Sequence, residues 1–271
     1  MNTVIDKDEV IRQVLEKKKY SHLDKDLVAF IAAEEIKKRA SLKEAVKSTA
    51  NKLHQVGWAY FAQQPDYTTH LHELAALPAD LHADMSRQFC LQLMQEHAST
   101  RERLSILDEF YTILFSDIRP ITSILDLACG FNPLALGWMP VAPDVRYNAC
   151  DIFDDMNAFL QSFFAHFHIQ GKAETCNLLS TIPQEKVQVA LLLKTLPCLE
   201  QAEKESSRRI LTDIRARTLI VSFPVHSIGG REKGMRQHYA SQFEALLAEL
   251  GWNYQKFLFA SELAYRIERE L

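Results

Sequence analysis

The chain has 271 residues, 47% of them hydrophobic and 24% charged, with 31 Lys and Arg against 35 Asp and Glu. That balance is that of an ordinary globular protein, long enough for a core domain with an extension. No apolar run approaches the roughly 20 residues that span a bilayer and no signal-peptide pattern precedes the polar N-terminus, so the expected compartment is the cytoplasm, with no membrane partner.

The first hundred residues read as helix almost throughout. Val10, Ile11, Val14 and Leu15 form one apolar stripe, Leu27, Val28, Ile31 and Ile36 a second, and Ala45, Val46, Thr49, Leu53 and Val56 a third. Ser21 and Asp24 are candidate caps for the second helix, and Ser41 with Glu44 three residues on for the third, which Gly57 ends. Pro65 and Pro78 bracket a turn-prone stretch before a further helix at about 79–95. Residues 1–60 carry 12 Lys and Arg against 9 Asp and Glu, a local excess that the net charge of −4 hides. The clusters Lys17-Lys18-Lys19 and Lys37-Lys38-Arg39 fit either a phosphate-binding surface or a solvated helix face.

The texture then changes. His97-Ala98-Ser99-Thr100 offers an N-cap for an amphipathic helix over Arg101–Phe115, with Leu104, Leu107, Phe110, Tyr111 and Leu114 inward. After Pro120, β-type runs at Ser123–Ala128, Val145–Cys150, Val187–Leu193 and Thr218–Phe223 alternate with helical patterns at about 154–167, 200–216 and 235–250. Such alternation implies parallel strands joined by helical crossovers. The final runs, Tyr254–Ala260 and Leu263–Ile267, are separated by two residues, which permits only an antiparallel hairpin. The five cysteines, Cys90, Cys129, Cys150, Cys176 and Cys198, include no CxxC pair and read as small buried hydrophobes rather than a zinc or disulfide framework.

Asp126–Pro133, DLACGFNP, follows the first strand, where an open α/β sheet binds its ligand. Gly130 lets backbone approach a ligand closely. Asp126 is placed to accept hydrogen bonds at the loop base or, through water, to face a cationic ligand end. A GxGxxG pyrophosphate cradle is missing, which speaks against a dinucleotide. Asp151 ends the second strand, where its two oxygens could accept from both hydroxyls of a ribose or merely cap a helix. Loop and acid together point to a nucleoside-containing cofactor without phosphate, such as S-adenosyl-L-methionine.

Four ordered segments, HASTRERL (His97–Leu104), LDLACGFNPLAL (Leu125–Leu136), LLLKTLPCLE (Leu191–Glu200) and SFPVHSIGGREKGM (Ser222–Met235), resemble the aminoglycoside-resistance 16S rRNA methyltransferases, which act on N7 of guanine 1405. KLHQVGWAYF (Lys52–Phe61) fits as well, so the resemblance covers nearly the whole chain. It implies a class I Rossmann-like S-adenosyl-L-methionine-dependent α/β fold over 96–271, with an all-helical, rRNA-binding N-terminal extension over 1–95. It further implies S-adenosyl-L-homocysteine as product, the assembled 30S subunit as partner with no obligate protein partner, and resistance to 4,6-disubstituted deoxystreptamines.

Carried onto this sequence, the resemblance assigns Arg103 to the methionine carboxylate, with His97, Ala98 and Ser99 beside it. It assigns Ala128 and Gly130 to the loop, Asp151 to the ribose, and Asn177-Leu178, where the family usually has Asp-Leu, to adenine. Leu193 and Gln201 lie near the cofactor, and Tyr60 closes the pocket from the extension. Guanine N7 carries a free lone pair, so no catalytic base and no metal are required and positioning suffices. Lys194, at the end of the fourth strand, is the residue placed to meet the guanine edge or its phosphate; a solvated lysine is the alternative. Phosphate contacts are expected from Lys17, Lys18, Lys19, Lys37, Lys38, Arg39, Lys43, Lys47 and Lys52, and from Arg231, Lys233 and Arg236 in a glycine-rich segment expected to order on the ribosome. The competing readings are a methyltransferase of another RNA base or a small molecule, and a ribosome-binding protein without catalysis.

Overall fold

A computed structural model describes residues 5–225 and 235–270, with Met235 placed by its backbone alone. The N-terminal part is helical: α1 (Lys7–Leu15), α2 (Lys25–Ile36), α3 (Leu42–Val56), α4 (Tyr67–Ala75) and α5 (Asp84–Met94). Asp24 caps α2 by accepting from the amide of Leu27 at 2.6 Å, and Ser41 caps α3 through the amide of Glu44 at 3.3 Å. The stripes face inward as their period requires: Val10 and Val14, then Leu27, Val28 and Ile31, then Ala45, Val46 and Leu53 are buried. Two expectations need correction. The stretch between Pro65 and Pro78 holds α4, capped by Asp66, which accepts from the amide of Thr69 at 3.2 Å. The next helix begins only at Asp84, because residues 79–83 turn.

The expected helix over 101–115 is also divided, into α6 (Ala98–Arg103), a 3-10 turn (Leu104–Ile106) and α7 (Leu107–Leu114). The residue before α6, His97, gives no side-chain cap. Beyond it lies one seven-stranded sheet: β1 (Ser123–Leu127), β2 (Arg146–Asp151), β3 (Gln170–Thr175), β4 (Val187–Leu193), β5 (Ala216–Pro224), β6 (Tyr254–Leu258) and β7 (Glu262–Glu268). Helices α8 (Asp154–His166), α9 (Leu196–Ala202), α10 (Ser206–Asp213) and α11 (Met235–Leu250) connect the strands. The expected helical stretch at 200–216 is thus two helices.

The strand order is β3-β2-β1-β4-β5-β7-β6, with β1 to β5 parallel and β7 antiparallel to both β5 and β6. Strand order reverses between β1 and β4, so their carboxyl ends open the crevice in which such sheets bind ligands. One apolar cluster runs from Val10 in α1 through Phe131 to Val189 in β4, so the helices and one sheet face share a core. The isolated bridge pair Leu23–Phe153 ties the N-terminal helices to the segment after β2, and Phe61–His97 ties them to the start of α6. Among the described residues no helix is long and apolar enough to cross a membrane.

Candidate functional site

The crevice holds a narrow cavity of about 80 Å³. Its walls come from the end of β1 (Ala128, Cys129), the end of β2 (Asp151 to Phe153), the segment after β3 (Cys176 to Leu179) and the β4–α9 junction (Leu193 to Thr195, Cys198). Tyr60, His97 and Ser99 complete it from the helical side. Of the residues assigned from the sequence, Tyr60, His97, Ser99, Ala128, Asp151, Asn177, Leu178 and Leu193 therefore meet at one cavity, and Lys194 lies with them.

Backbone geometry sets the loop. Ala128 and Gly130 take left-handed φ values of 52° and 50°. At Gly130 a Cβ would come within 2.7 Å of the His97 ring, so glycine is needed for both conformation and space. The Gly130 amide donates to Asp151 Oδ2 at 2.9 Å, and the Ile152 amide donates to Oδ1 at 2.7 Å. Each carboxylate oxygen keeps a further lone pair for a ligand hydroxyl. Burial pushes Asp151 up to about 6, with the amides of Gly130, Ile152 and Phe153 opposing that rise.

The opposite wall is aromatic. Tyr60 stacks on His97 with ring centroids 5.6 Å apart and planes 15° from parallel, and its hydroxyl lies 2.8 Å from Cys198 Sγ. Burial, with help from Lys194, Arg103 and Arg101, lowers His97 to about 3, so its ring is neutral. Two buried polar atoms of the cavity-lining residues, His97 Nδ1 and Asn177 Nδ2, have no partner among the described residues. Together with the free acceptor capacity of Asp151, they fit a ligand that has both acceptors and paired hydroxyls, as a nucleoside does.

Four assigned residues lie off the cavity wall. Ala98 is buried at the start of α6, and Gly130 acts through its amide. Gln201 is exposed on α9 and lines a different groove, while its carbonyl accepts from Lys52. Arg103 is fully buried, with Nε 2.7 Å from Glu262 Oε1, Nη2 3.2 Å from Oε2, and Nη1 2.8 Å from Asn132 Oδ1. A guanidinium has five N–H groups, so one hydrogen on each terminal nitrogen stays uncommitted.

Lys194 is no solvated lysine. It is 4% exposed, has a left-handed φ of 61°, and donates to Glu102 Oε2 at 2.7 Å and the Ser99 carbonyl at 3.2 Å. Glu262 Oε1 stands 3.4 Å from the same ammonium. Its geometry holds α6 to the end of β4, and the expected meeting with the guanine edge or its phosphate would require breaking these bonds. Asp126 likewise faces inward, accepting from Tyr147 at 2.6 Å and Asn132 at 2.8 Å beneath the loop. Burial pushes it up to about 7 against those hydrogen bonds.

Sequence reasoning does not find Glu102, Asn132, Tyr111, Tyr147, Ser222 or Glu262, which join Arg103, Asp126 and Lys194 in one buried network. Asn132 inside DLACGFNP, Glu102 inside HASTRERL and Ser222 at the head of SFPVHSIGGREKGM lie in the segments already singled out, whereas Tyr147 and Glu262 carry no local signal.

Of the basic residues, Lys17 and Lys19 line one surface groove with Lys43 and Lys47. Lys18 is exposed beside them. Lys37 pairs with Glu34 at 2.5 Å, while Lys38 and Arg39 both pair with buried Glu35, at 3.7 and 2.8 Å. Arg236 is exposed on α11. Arg231 and Lys233, with the expected ordering of their segment, lie outside the described residues.

Comparison with known proteins matches residues 16–266 to the family described as ribosomal RNA methyltransferase (FmrO). A 16S rRNA (guanine(1405)-N(7))-methyltransferase of Frankia casuarinae is 34% identical over 97% of this chain and 93% of its own length. One of the same description from Serratia marcescens is 33% identical over 97% and 98%. Among solved structures, the 16S rRNA methyltransferase RmtF in complex with S-adenosyl-L-homocysteine superposes with a TM-score of 0.83, at 30% identity, over 97% of this chain and 98% of that one.

Proposed function

We propose that this chain, which belongs to the ribosomal RNA methyltransferase (FmrO) family, transfers a methyl group from S-adenosyl-L-methionine to N7 of guanine 1405 of 16S rRNA. The observation that carries the reading is the family match over 16–266, joined to a cavity at the sheet's switch point whose wall suits a nucleoside. Its relatives' stated activity supplies the acceptor atom.

Bound there, S-adenosyl-L-methionine supplies an electrophilic sulfonium methyl and leaves as S-adenosyl-L-homocysteine. Asp151 would hold the ribose hydroxyls, Asn177 and Leu178 the adenine, and Arg103, beside Ser99, the amino-acid carboxylate through its two uncommitted hydrogens. Ala98, Ala128, Gly130 and Leu193 shape the backbone around it, and Tyr60 covers it. Gln201 lines a different groove and is not part of this set. N7 needs no deprotonation, so the protein's task is to align acceptor, methyl and sulfur. A base stacked in an A-form helix hides N7 in the narrow major groove, so the guanine is flipped or its helix distorted before transfer.

In this reading residues 1–95 form the subunit-binding extension and 96–271 the catalytic domain, and the protein works in the cytoplasm on the assembled 30S subunit. Lys17, Lys18, Lys19, Lys37, Lys38 and Arg39 contribute phosphate contacts, joined by Arg236 and by Arg231 and Lys233. Cells expressing the chain then resist 4,6-disubstituted deoxystreptamines. Purified protein, labelled S-adenosyl-L-methionine and 30S subunits should give a single 7-methylguanine in 16S rRNA. Unlabelled rRNA from a preparation that binds cofactor would overturn the proposal.

A further inference from the structure

Of the five cysteines, Cys90, Cys129 and Cys150 are buried, and Cys176 and Cys198 are half-buried. Cys198 lies under the Tyr60 hydroxyl, and burial holds its thiol up. Cys176 differs on both counts. It follows β3 directly on the cavity wall, and its amide extends the β2–β3 ladder by donating to the Asp151 carbonyl at 3.0 Å. Cys150 stands opposite Glu174 in that ladder, so the alternation of extended chain turns Cys150 and Cys176 to one face of the sheet. Both side chains pack into the same apolar cluster there. The Cys150 thiol donates to the Cys176 sulfur and holds Cys176 below the ordinary thiol value, outweighing burial and the carboxylates of Asp24, Glu174 and Glu185. The same cavity wall carries Asn177 Nδ2 and His97 Nδ1, on residues 5% and 9% exposed, with no partner among the described residues. This thiol therefore borders a space shaped for a ligand.

We propose that Cys176 is an oxidation site at which a peroxide closes the cavity to its ligand; the identity of that ligand rests on the cofactor reading above. The Cys176 thiolate attacks one oxygen of hydrogen peroxide, the O–O bond breaks, and the other oxygen leaves as hydroxide, which takes up a proton to become water. Sulfur gives up two electrons and becomes a sulfenic acid, and the peroxide is reduced by the same two. The thiolate is the reacting form, which favours Cys176 over the buried or covered cysteines. The added oxygen enters a cavity of only about 80 Å³, beside Leu178 and Asn177, so oxidised protein binds the methyl donor and its product weakly until a thiol reductant removes it.

The test exposes the full chain to hydrogen peroxide. One portion is trapped with dimedone and mapped by peptide mass spectrometry; another is titrated with S-adenosyl-L-homocysteine before oxidation, after it, and after dithiothreitol. Cys176 should gain the adduct about tenfold faster than any other cysteine, and bound S-adenosyl-L-homocysteine should suppress it. Oxidation should weaken binding about tenfold and dithiothreitol should restore it, whereas Cys176→Ser should keep its own untreated affinity through the same exposure. Labelling spread over the cysteines, or first at Cys198, overturns the site, and labelling at Cys176 with affinity unchanged overturns its control of the cavity. A chain labelled at Cys176 that binds no S-adenosyl-L-homocysteine before treatment overturns the cofactor reading and leaves the oxidation site standing. Should Cys176→Ser fail to fold, Cys176→Ala is read by the same criterion.

Discussion

Arg103 and Glu262 form a two-point ion pair in which neither side chain reaches solvent. They are 159 residues apart, one on α6 and one at the start of β7, so the pair closes the sheet's antiparallel edge onto the helix that carries Ser99. Burial raises the Glu262 carboxyl, but Arg103 and Lys194 more than offset it and hold it below its ordinary value. Ser222 donates to it at 2.7 Å as well. The pair continues through Asn132 to Asp126 and Tyr147, beneath the cofactor loop.

Breaking this pair should cost stability. Arg103→Ala or Glu262→Ala leaves one charge buried alone, a loss of about 3–5 kcal/mol in urea unfolding. Replacing both, Arg103→Met with Glu262→Leu, should cost less than either single change. Because Glu262 titrates below its unfolded value, its contribution is present above the unfolded pKa and fades as pH falls through the folded one. Single changes each costing under about 0.5 kcal/mol would show that the network does not hold the fold.

Asp151 sets a pH dependence on cofactor binding. In the proposed reading ribose hydroxyls donate to the ionised carboxylate, while burial pushes its pKa up to about 6. Affinity for S-adenosyl-L-homocysteine should be flat above that pH and weaken by about tenfold per unit below it, as a one-proton linkage requires. The stability contribution runs the other way: with the folded value raised, it is full below the unfolded pKa of about 3.9 and lost as pH rises through 6. Asp151→Asn should bind weakly with no such slope, and a wild-type profile unchanged from pH 8 to pH 5 would refute the assignment.

Tyr60 lines the cavity and, in the proposed reading, covers it. A space of about 80 Å³ is well below the roughly 300–1,000 Å³ of ligand pockets, so the cavity must widen to take a nucleoside, and displacement of Tyr60 is the expected way. Cys198, under the tyrosine hydroxyl, has its thiol pushed up to about 11 by burial. In a Cys176→Ser background it should react slowly with an exposed-thiol reagent, and Tyr60→Ala should speed that reaction by about tenfold. Bound S-adenosyl-L-homocysteine should suppress it in both. Equal rates with and without Tyr60 would mean that the ring is not the cover.

Local signals explain what the sequence made legible. DLACGFNP sits between a strand and a turn, and Asp151 ends a strand, so their meeting at one crevice follows from strand alternation. β3 lacked such a signal: Gln-Gly-Lys-Ala-Glu-Thr is an edge strand whose residues are all exposed or half-buried, so it has no apolar run. α4 was obscured by its flanking prolines and its Thr and His content. Glu262, Cys198 and Glu102 matter because of residues at least 90 positions away, which no window along the chain reveals. Lys194 shows the same limit, since the end of a strand reads as solvent until two carboxylates are placed around it.

The basic residues of the extension divide into two groups that should behave differently on the subunit. Arg39 is the nearer of the two cations that neutralise buried Glu35, so Arg39→Ala leaves that carboxylate only the longer Lys38 contact and should lower stability along with binding. Lys17 and Lys47 are exposed along one groove and form no ion pair among the described residues, so their charge is available to phosphate. Lys17→Ala with Lys47→Ala should weaken 30S binding while leaving the melting temperature and S-adenosyl-L-homocysteine affinity unchanged. Each lost phosphate contact should also flatten the dependence of log K on log salt by roughly 0.7–0.9, whatever the rRNA sequence beneath it. An unaltered slope would place the subunit contact elsewhere, because counterions are released only where charge meets phosphate.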